Sequence, residues 1–396
     1  MISEKKNTIN VGDIISVKIE KMIFGGAGLA RLNDNDGAKG AVVFVRYAAP
    51  GDELRVKITV KKKNFYEAEI VEIVKASEHR QSPPCEYYQI CGGCNWQHLK
   101  YQEQLQQKQN IILEQLRPVI NNQTKVFDII PSPKEFRYRN RIQLKFSAPN
   151  LGYHQRGTHQ IVNIKDCLIA EETVTEKIAP LRKSLIQQNS PPLKVIELRQ
   201  QDTRNEEELN FSQVNSLQNE NLTQLALKWM TDNSNTDFQP KYWDLYCGNG
   251  NFSFPLLQLL KATKQTPVSI VGVELSESSV AEAQKKLTEN GIDFQQLQFF
   301  CADVEVFLRR HTPPDGAVVL LDPPRAGASE YILKSLANSN ISKIVYISCD
   351  PAALRRDLQR LLEYNSAWQL TRLQAFDMFP QTDHIETMVE LKRNHS

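Results

Sequence analysis

The residues best placed to do covalent chemistry are a cysteine and an aspartate, each directly after an apolar run. Cys349 lies in ISCDP and Asp322 in LLDPPRAG. Cys349 also precedes a stretch typical of a helix start, DPAALRRDLQRLL, where backbone amides and the helix dipole favour a thiolate. A thiolate beside a carboxylate predicts a nucleophilic cysteine. The ordinary alternative is a buried, inert thiol, which we predict for Cys301 and Cys247.

A second carboxylate, Glu386, opens an apolar run near the end of the chain, DHIETMVEL. Most glutamates are solvated, but His384 and Glu386 introduce a strand that we expect to return alongside the strand before Cys349. This placement predicts a second carboxylate near Cys349.

A glycine-rich turn, DLYCGNGNF, follows the first strand of the C-terminal third. Glycines there let the backbone turn sharply and approach a ligand, and the spacing is not the G-x-G-x-x-G of dinucleotide sites. Glu274 ends the second strand, where it can accept hydrogen bonds from ribose hydroxyls, and Asp303 ends the third, where it can accept from an adenine amine. Either carboxylate alone could be a helix cap. Together with the turn they form the layout of a class I S-adenosylmethionine methyltransferase.

The chain has 7 cysteines, and its first residues, MISEKKNTIN, lack an apolar signal core. An odd number without an export signal argues against a disulfide framework and for metal ligation, catalysis or packing. Cys85, Cys91 and Cys94 have the spacing C-x5-C-x2-C, and Cys167 is the remaining candidate in this region. The spacing fits a tetrathiolate site, which zinc or an iron–sulfur cluster would satisfy on chemical grounds.

The elements that must position these residues fall into three regions. Residues 8–74 hold about five short β-rich runs separated by GGAG, NDNDGAKG and APGD, which predict an OB-like β-barrel. Residues 75–205 mix a helix-like stretch, YQEQLQQKQNIILEQLRPV, with strand-like runs and predict an α+β central domain. The polar segment RQQDTRNEEELN marks the approximate boundary. In residues 206–396 strands alternate with helices, which predicts an α/β, Rossmann-like, doubly wound domain with its ligand at the carboxyl ends of the strands.

Composition places the 396 residues among ordinary soluble proteins, with 41% hydrophobic and 24% charged residues and a net charge of +2. No apolar run approaches the roughly 18 residues that span a bilayer, so we expect a cytoplasmic protein without a membrane partner. We also expect a monomer, although no sequence feature indicates the oligomeric state. Basic residues cluster in 55–63 and in EFRYRNRIQLKF, where arginine and tyrosine alternate. Such runs suit phosphate contact and base stacking in RNA. A solvated or salt-bridged face is the alternative.

Two sets of motifs carry family resemblances. GGAGLAR followed by APGD resembles the TRAM domain, an RNA-binding barrel of RNA-modifying enzymes. FSQVN at 211–215, DLYCGNGNF, LDPPRAG, SCDPAALRRDL and HIETMVEL resemble the RNA uridine-5-methyltransferase family. This resemblance implies that Cys349 is the nucleophile, Glu386 the general base and Asp322 an acid beside the reacting uracil and the methyl donor. The implied contacts to S-adenosylmethionine are Gln213, Tyr246, Asn251, Glu274 and Asp303.

The resemblance also implies a metal cofactor and a substrate. The branch of the family that acts on large ribosomal RNA carries the same cysteine pattern and holds a [4Fe–4S] cluster. Its ligands here would be Cys85, Cys91, Cys94 and Cys167. A barrel and a cysteine cluster in one chain imply 23S ribosomal RNA as the substrate. Transfer RNA is the alternative, because relatives with both features can also modify it.

Three other classes of protein fit less well. Amino-directed methyltransferases share a D-P-P motif but follow it with an aromatic residue, where this chain has Arg325, and their chemistry needs no Cys349. A TRAM-bearing radical enzyme needs cysteines at C-x3-C-x2-C, which the sequence lacks. A non-catalytic RNA-binding protein would not need a full set of donor and catalytic motifs.

Overall fold

The structure, a computed structural model, describes residues 9–32, 40–200, 203–205, 213–232, 241–265 and 267–393. The chain packs into two compact units. The first comprises Met1–Ile111, Lys134–Glu206 and Phe379–His384, and the second comprises Ile112–Pro133, Glu207–Met378 and Ile385–Ser396. Phe211 and Ser212 of the FSQVN motif, and most of the RQQDTRNEEELN segment, lie outside the described residues.

The first unit opens with a curled sheet of short strands. They are β1 (Ile14–Lys18), β2 (Lys21–Met22), β3 (Ala27–Arg31), β4 (Val42–Arg46), β5 (Glu53–Lys61) and β6 (Phe65–Lys75). Their order is β1-β5-β6-β4-β3-β2. The sheet closes because the Glu20 amide, just after β1, donates to the Leu29 carbonyl of β3 at 2.8 Å. Every second residue at the start of β5 is buried, as a half-buried strand requires. The predicted OB-like barrel is confirmed.

An antiparallel sheet with helices follows the barrel. Its elements, and two that precede it, are α1 (Tyr101–Leu116), β7 (Lys125–Val126), β8 (Arg141–Ser147), β9 (Asn150–His154), β10 (Ile161–Asn163), α2 (Glu172–Thr175), α3 (Ile178–Gln187), β11 (Leu193–Arg199) and β12 (Thr203–Asn205). The sheet order is β10-β9-β8-β11-β12, and β7 belongs to the second unit. The helix-like stretch of the sequence is α1, and the mixture of helices and strands matches the expected α+β character.

The second unit is a doubly wound α/β sheet. Its remaining elements are α4 (Ser216–Thr231), β13 (Tyr242–Leu245), α5 (Ser253–Ala262), β14 (Ile270–Glu274), α6 (Glu277–Glu289), β15 (Leu297–Cys301), α7 (Val304–Leu308), β16 (Val318–Leu321), α8 (Glu330–Asn338), β17 (Lys343–Ser348), α9 (Pro351–Tyr364), β18 (Trp368–Phe376) and β19 (Glu386–Arg393). The strand order is β15-β14-β13-β16-β17-β19-β18-β7. β13 to β17 pair in parallel, whereas β19 runs antiparallel to β17 and β18. The predicted fold is confirmed, including the return of the last strand beside β17.

The strand order reverses at β13. β14 and β15 lie on one side of it, and β16 and β17 lie on the other. The carboxyl ends of β13 and β16 therefore form a topological switch point, the place where open α/β sheets bind ligands. The glycine-rich turn leaves β13 there, and Asp322 directly follows β16.

Helix α9 begins where the sequence predicts a helix start. Asp350 is its N-cap, and Pro351 occupies the first turn, where no amide donor is needed. β17 is buried along its whole length and ends at Ser348. Cys349 thus lies in a two-residue turn between a buried strand and a capped helix. Among the described residues, none of the helices combines the length and apolarity needed to cross a membrane.

Candidate active site

Cys349 and Glu386 come together at neighbouring strand ends. β17 and β19 pair with Ser348 opposite Thr387. Beyond this pair, the next residue after β17 is Cys349, and the next residue on β19 is Glu386. Glu386 is also the first residue of β19. The nucleophile and the carboxylate proposed from the sequence are thus brought side by side by strands that are far apart in the chain, and their chemical roles stay a prediction.

The Cys349 thiol is protonated in the free protein. Burial raises its pKa to about 11, and the negative charge of Glu386 acts in the same direction. The Arg325 guanidinium lowers the pKa and Asp322 raises it. A thiol in this surrounding needs additional positive charge before it becomes a nucleophile.

The expectation that helix amides favour a Cys349 thiolate is wrong for the free protein. The Asp350 carboxylate takes the amides at the start of α9, accepting from Ala352 N at 2.9 Å and from Ala353 N at 2.8 Å. These donors are therefore occupied by a residue of formal negative charge. Burial of Cys349 then decides the direction of its pKa shift.

Glu386 is suited to hold and release a proton. The residue is 4% exposed. Burial raises its pKa well above the usual value, Asp322 adds to the rise, and Arg325 opposes it. A buried carboxylate is unfavourable as an anion, so the carboxylate of Glu386 is a stronger base than that of an exposed glutamate.

Asp322 and Asp244 make this end of the sheet acidic. Burial raises the pKa of Asp322 to about 7, and the charges of Asp244 and Glu274 act in the same direction. Burial also raises the pKa of Asp244 to about 7, against a hydrogen bond from Ser253 Oγ at 2.5 Å. Carboxylates grouped in this way favour a cationic ligand. The sequence analysis gave Asp244 no role, because the depth of burial at the end of β13 is not visible in the motif.

A pocket opens at the switch point. It is lined by four predicted residues, Gln213, Tyr246, Asn251 and Asp322, together with Cys247, Gly248, Asn249 and Phe252. The turn above it requires glycine at Gly250, whose φ is 88° and where a Cβ would meet the Phe254 ring at 2.6 Å. Most of the residues proposed to contact the methyl donor therefore lie around one cavity.

The other two residues proposed to contact the methyl donor lie at strand ends, and their carboxylate oxygens already accept hydrogen bonds. Glu274 accepts from Gly248 N at 3.1 Å and from Ser276 N at 2.8 Å. Asp303 is exposed and caps α7 by accepting from Val306 N at 3.0 Å. The helix-cap alternative thus describes Asp303. Each carboxylate oxygen has two lone pairs, so these contacts leave room for a ligand.

One residue beside the pocket was missed from the sequence. Asn219 of α4 forms a reciprocal pair with Asn251, donating to its Oδ1 at 2.9 Å and accepting from its Nδ2 at 3.1 Å. The pair ties the glycine-rich turn to the helix that follows Gln213. No sequence signal identified Asn219, because asparagine in a helix is usually a solvated residue.

The two cysteines predicted to be packing residues differ in the structure. Cys247 is 3% exposed, as expected. Cys301 is exposed, and its Sγ lies 3.6 Å from the Leu275 carbonyl oxygen. The prediction for Cys301 is wrong because β15 is the edge strand of its sheet, so its last residue has no neighbouring strand on one side.

The other four cysteines surround a second cavity. Cys85, Cys91, Cys94 and Cys167 line a small cavity that is otherwise walled mainly by tyrosine and aliphatic side chains. Burial raises the pKa of Cys91 to about 11 and that of Cys94 to about 12. Tyr153 Oη lies 3.9 Å from Cys167 Sγ. Among the described residues, no group of three or more His, Cys, Asp or Glu side chains is arranged to hold a single metal ion.

The two basic runs have different surroundings. Arg137 pairs with Asp166 at 2.7 Å, and the buried Arg141 lies 3.6 Å from Glu197. The segment EFRYRNRIQLKF therefore fits the alternative of a salt-bridged face better than the prediction that its side chains are free to contact RNA. In the run 55–63, Arg55 pairs with Glu72 at 3.1 Å and Lys61 Nζ donates to Asn10 Oδ1 at 3.2 Å, whereas Lys62 and Lys63 are exposed.

Comparison with family models identifies two regions. A model described as tRNA (Uracil-5-)-methyltransferase matches residues 193–308 and 314–394. A TRAM domain model matches residues 9–71. The first match contains the Cys349–Glu386 pair and the donor pocket, and the second contains the barrel.

Individual relatives resemble the chain along its whole length. A Bdellovibrio bacteriovorus protein named as an uncharacterized RNA methyltransferase is 42% identical over 96% of each chain. The 23S rRNA (uracil(1939)-C(5))-methyltransferase RlmD of Shewanella amazonensis is 31% identical over 94% of each chain. The crystal structure of Pyrococcus abyssi tRNA (uracil-54, C5)-methyltransferase with S-adenosyl-L-homocysteine matches 95% of this chain and 100% of its own, with a TM-score of 0.71. At 22% identity that likeness shows a shared fold.

Proposed function

Because the chain belongs to the tRNA (uracil-5-)-methyltransferase family, we propose that it transfers a methyl group from S-adenosylmethionine to C5 of a uridine in RNA, giving 5-methyluridine. The observation that carries the proposal is the placement of Cys349 beside Glu386, with Asp322 near this pair and in the wall of the donor pocket. C5 of uracil is too weak a nucleophile to take a methyl group unaided. A thiol and a base that lie side by side can together make C5 reactive enough to accept the methyl group.

Cys349 is the nucleophile in this scheme. After its proton leaves to solvent, its sulfur bonds to C6 of uracil, and the electrons of the C5–C6 double bond make C5 enolate-like. C5 then bonds to the donor's methyl carbon, and the electron pair of the broken bond stays on the donor sulfur. Because burial keeps the free thiol protonated, we assign its activation to the positive sulfonium acting together with Arg325.

Glu386 completes the reaction. Methyl transfer leaves a saturated adduct that still carries the C5 proton. The Glu386 carboxylate removes this proton, the C5–C6 double bond re-forms, and the Cys349 sulfur leaves as a thiolate. Burial favours this role because it strengthens the base. The uridine must first leave its stack, since C5 and C6 are otherwise closed to both partners.

We assign the donor contacts to residues around the switch point. Gln213, Tyr246 and Asn251 line the pocket, and Glu274 and Asp303 end the adjoining strands with oxygens suited to ribose and adenine. Asp322, Asp244 and Glu274 give the pocket the negative charge that a sulfonium and an ammonium group require.

We further propose that Cys85, Cys91, Cys94 and Cys167 hold a [4Fe–4S] cluster. Four shielded thiols around one cavity are the donor set that such clusters use. Arg139 lies close enough to Cys94 and Cys167 to offset part of the thiolate charge. The methyl-transfer scheme contains no redox step, so these residues act in holding the fold. About four iron and four sulfide per chain after anaerobic purification are expected, and one zinc without sulfide would overturn the assignment.

The substrate we propose is 23S ribosomal RNA. Support comes from the Shewanella relative, which carries that substrate in its name, and from the exposed lysines of the TRAM barrel. Transfer RNA is the second candidate, because the family description and the Pyrococcus structure both name it.

Methylation of unmodified RNA tests both parts of the proposal. The purified protein and S-adenosylmethionine are incubated with 23S rRNA or with tRNA, and the methylated nucleosides are identified by mass spectrometry. 5-Methyluridine in rRNA alone is the expected result. 5-Methyluridine in tRNA alone would overturn the substrate, and a methyl group on a base nitrogen would overturn the chemistry.

A further inference from the structure

The segment Phe379–His384, which we call the strap, leads into the catalytic glutamate. It joins β18 to β19 and is itself part of the first unit. Only Ile385 separates the strap from Glu386. The strap therefore constrains the point at which the chain enters β19, together with the pairing of Glu386 with Phe376 of β18.

The backbone of the strap is held through its carbonyl groups. The donors are groups of the first unit, with Lys108 Nζ bonded to Phe379 O at 3.1 Å, Tyr138 Oη to Pro380 O at 3.1 Å, and the amides of Asn95 and Trp96 to Gln381 O at 3.2 and 3.1 Å. Lys108 and Tyr138 are both buried. Buried donors of this kind hold a loop because releasing it would leave them unsatisfied.

Asn95 and Asp383 form a reciprocal pair across this contact. Asn95 Nδ2 donates to Asp383 Oδ1 at 2.6 Å, and the Asp383 amide donates to Asn95 Oδ1 at 3.1 Å. Gly25 N in the barrel donates to the other carboxylate oxygen at 2.9 Å. Both side chains are buried. Asp383 therefore has two hydrogen bonds to its carboxylate and one from its backbone amide, and it cannot shift without leaving one of them unmade.

A second reciprocal pair fixes the middle of the strap. Gln104 Nε2 donates to Gln381 Oε1 at 3.0 Å, and the Gln381 amide donates to Gln104 Oε1 at 2.9 Å. Gln381 has a φ of 70°, a conformation that a side-chain-bearing residue adopts only when its surroundings enforce it. The strap is thus clamped in one strained shape.

We propose that Asn95 and Asp383 are positioning residues that hold Glu386 in line with the C5 proton. The inference rests on the proposed function, in which Glu386 removes that proton. Displacing a reacting group by about 1 Å costs about 100-fold in rate. Cys349 lies on a separate turn, after β17, so formation of the methylated adduct does not depend on the strap. Loosening the strap therefore slows release of product more than formation of the adduct.

The test uses an exchange of the two side chains in the full-length protein. Asn95→Asp places two carboxylates face to face and breaks the clamp. Adding Asp383→Asn restores it, because the carboxylate now at position 95 accepts from both the side-chain and the backbone amide of position 383. The side-chain oxygen at position 383 still accepts from Gly25 N. Asn110→Asp, at an exposed position of α1, is the control for the same change of charge.

Two readouts separate positioning from simple loss of structure. One is the covalent protein–RNA adduct on a denaturing gel, and the other is tritium release from RNA that carries [5-³H]uridine. Asn95→Asp should form the adduct at nearly the normal rate and release tritium about 10- to 100-fold more slowly, and the exchange variant should recover. Asn110→Asp should behave as the unaltered protein.

Other outcomes would show whether the positioning role or the proposed function is wrong. If adduct formation and tritium release fall together in Asn95→Asp, or if neither changes, the strap does not position Glu386. If Glu386→Gln itself forms no adduct, the proposed function fails first. Iron and sulfide content measured in each variant shows whether the neighbouring cysteine site, which includes Cys94, has survived the substitution.

Discussion

Cys349 should react slowly with iodoacetamide as long as the donor pocket is empty. Burial raises its pKa to about 11, so about one thiol in a thousand is ionised at about pH 8. An ordinary cysteine, with a pKa of about 8.5, is about one quarter ionised at that pH. Because the thiolate is the reactive form, we expect alkylation of Cys349 to be on the order of 100-fold slower than that of an ordinary thiol. The exposed Cys301 is the internal reference.

Binding of S-adenosylmethionine should accelerate the alkylation of Cys349. For an assumed separation of about 6 Å between the sulfonium and the thiol, and an effective dielectric constant of about 20, the interaction would contribute about 3 kcal/mol, or about two pKa units. The rate should rise by up to about 100-fold. S-Adenosylhomocysteine has nearly the same shape without the charge and is the matched control. Peptide mass spectrometry over a time course measures both cysteines. Equal acceleration by the two ligands, or fast alkylation of Cys349 in the free protein, would refute the electrostatic reasoning.

Three further predictions concern single substitutions. Glu386→Gln should accumulate a protein–RNA adduct stable to denaturation, because the C5 proton is not removed; a gel without such a band contradicts the assigned role. Affinity for S-adenosylmethionine should increase as the pH rises through about 7, where Asp322 and Asp244 become charged. Calorimetry should find this dependence reduced in Asp322→Asn, and an unchanged profile would exclude Asp322 as one of its sources. Asp52→Ala removes a buried carboxylate that lies 2.7 Å from Arg80 and should destabilise the barrel by about 3–5 kcal/mol. Urea unfolding measures this loss, and a loss below about 1 kcal/mol would disprove the prediction.

Much of the second unit could be predicted because its sequence signals are local. Buried parallel strands are short apolar runs, and the residues that follow them must lie at one edge of the sheet. That rule was enough to place Asp322 and Cys349 near the glycine-rich turn. The last strand followed from its apolar run, and its register brings Glu386 beside Cys349.

What escaped prediction depends on contacts between distant residues. The pKa of Cys349 depends on its depth and on the cap supplied by Asp350, neither of which the motif shows. Cys301 resembles a buried strand residue, but its strand lies at a sheet edge. The hydrogen-bonded pairs Asn219–Asn251 and Asn95–Asp383 join common polar residues that are far apart in the sequence. No periodic pattern in the sequence indicates such pairs. The folded chain alone reveals them.

The most direct test of the account uses RNA in which 5-fluorouridine replaces uridine. After Cys349 adds to C6 and the methyl group is transferred, C5 carries fluorine instead of a proton, so Glu386 has nothing to remove and the adduct persists. Digestion and mass spectrometry should find methylated fluorouridine attached to the peptide that contains Cys349, and Cys349→Ala should give no adduct. An adduct on another cysteine, or none from a protein that still methylates ordinary RNA, would contradict covalent catalysis by Cys349.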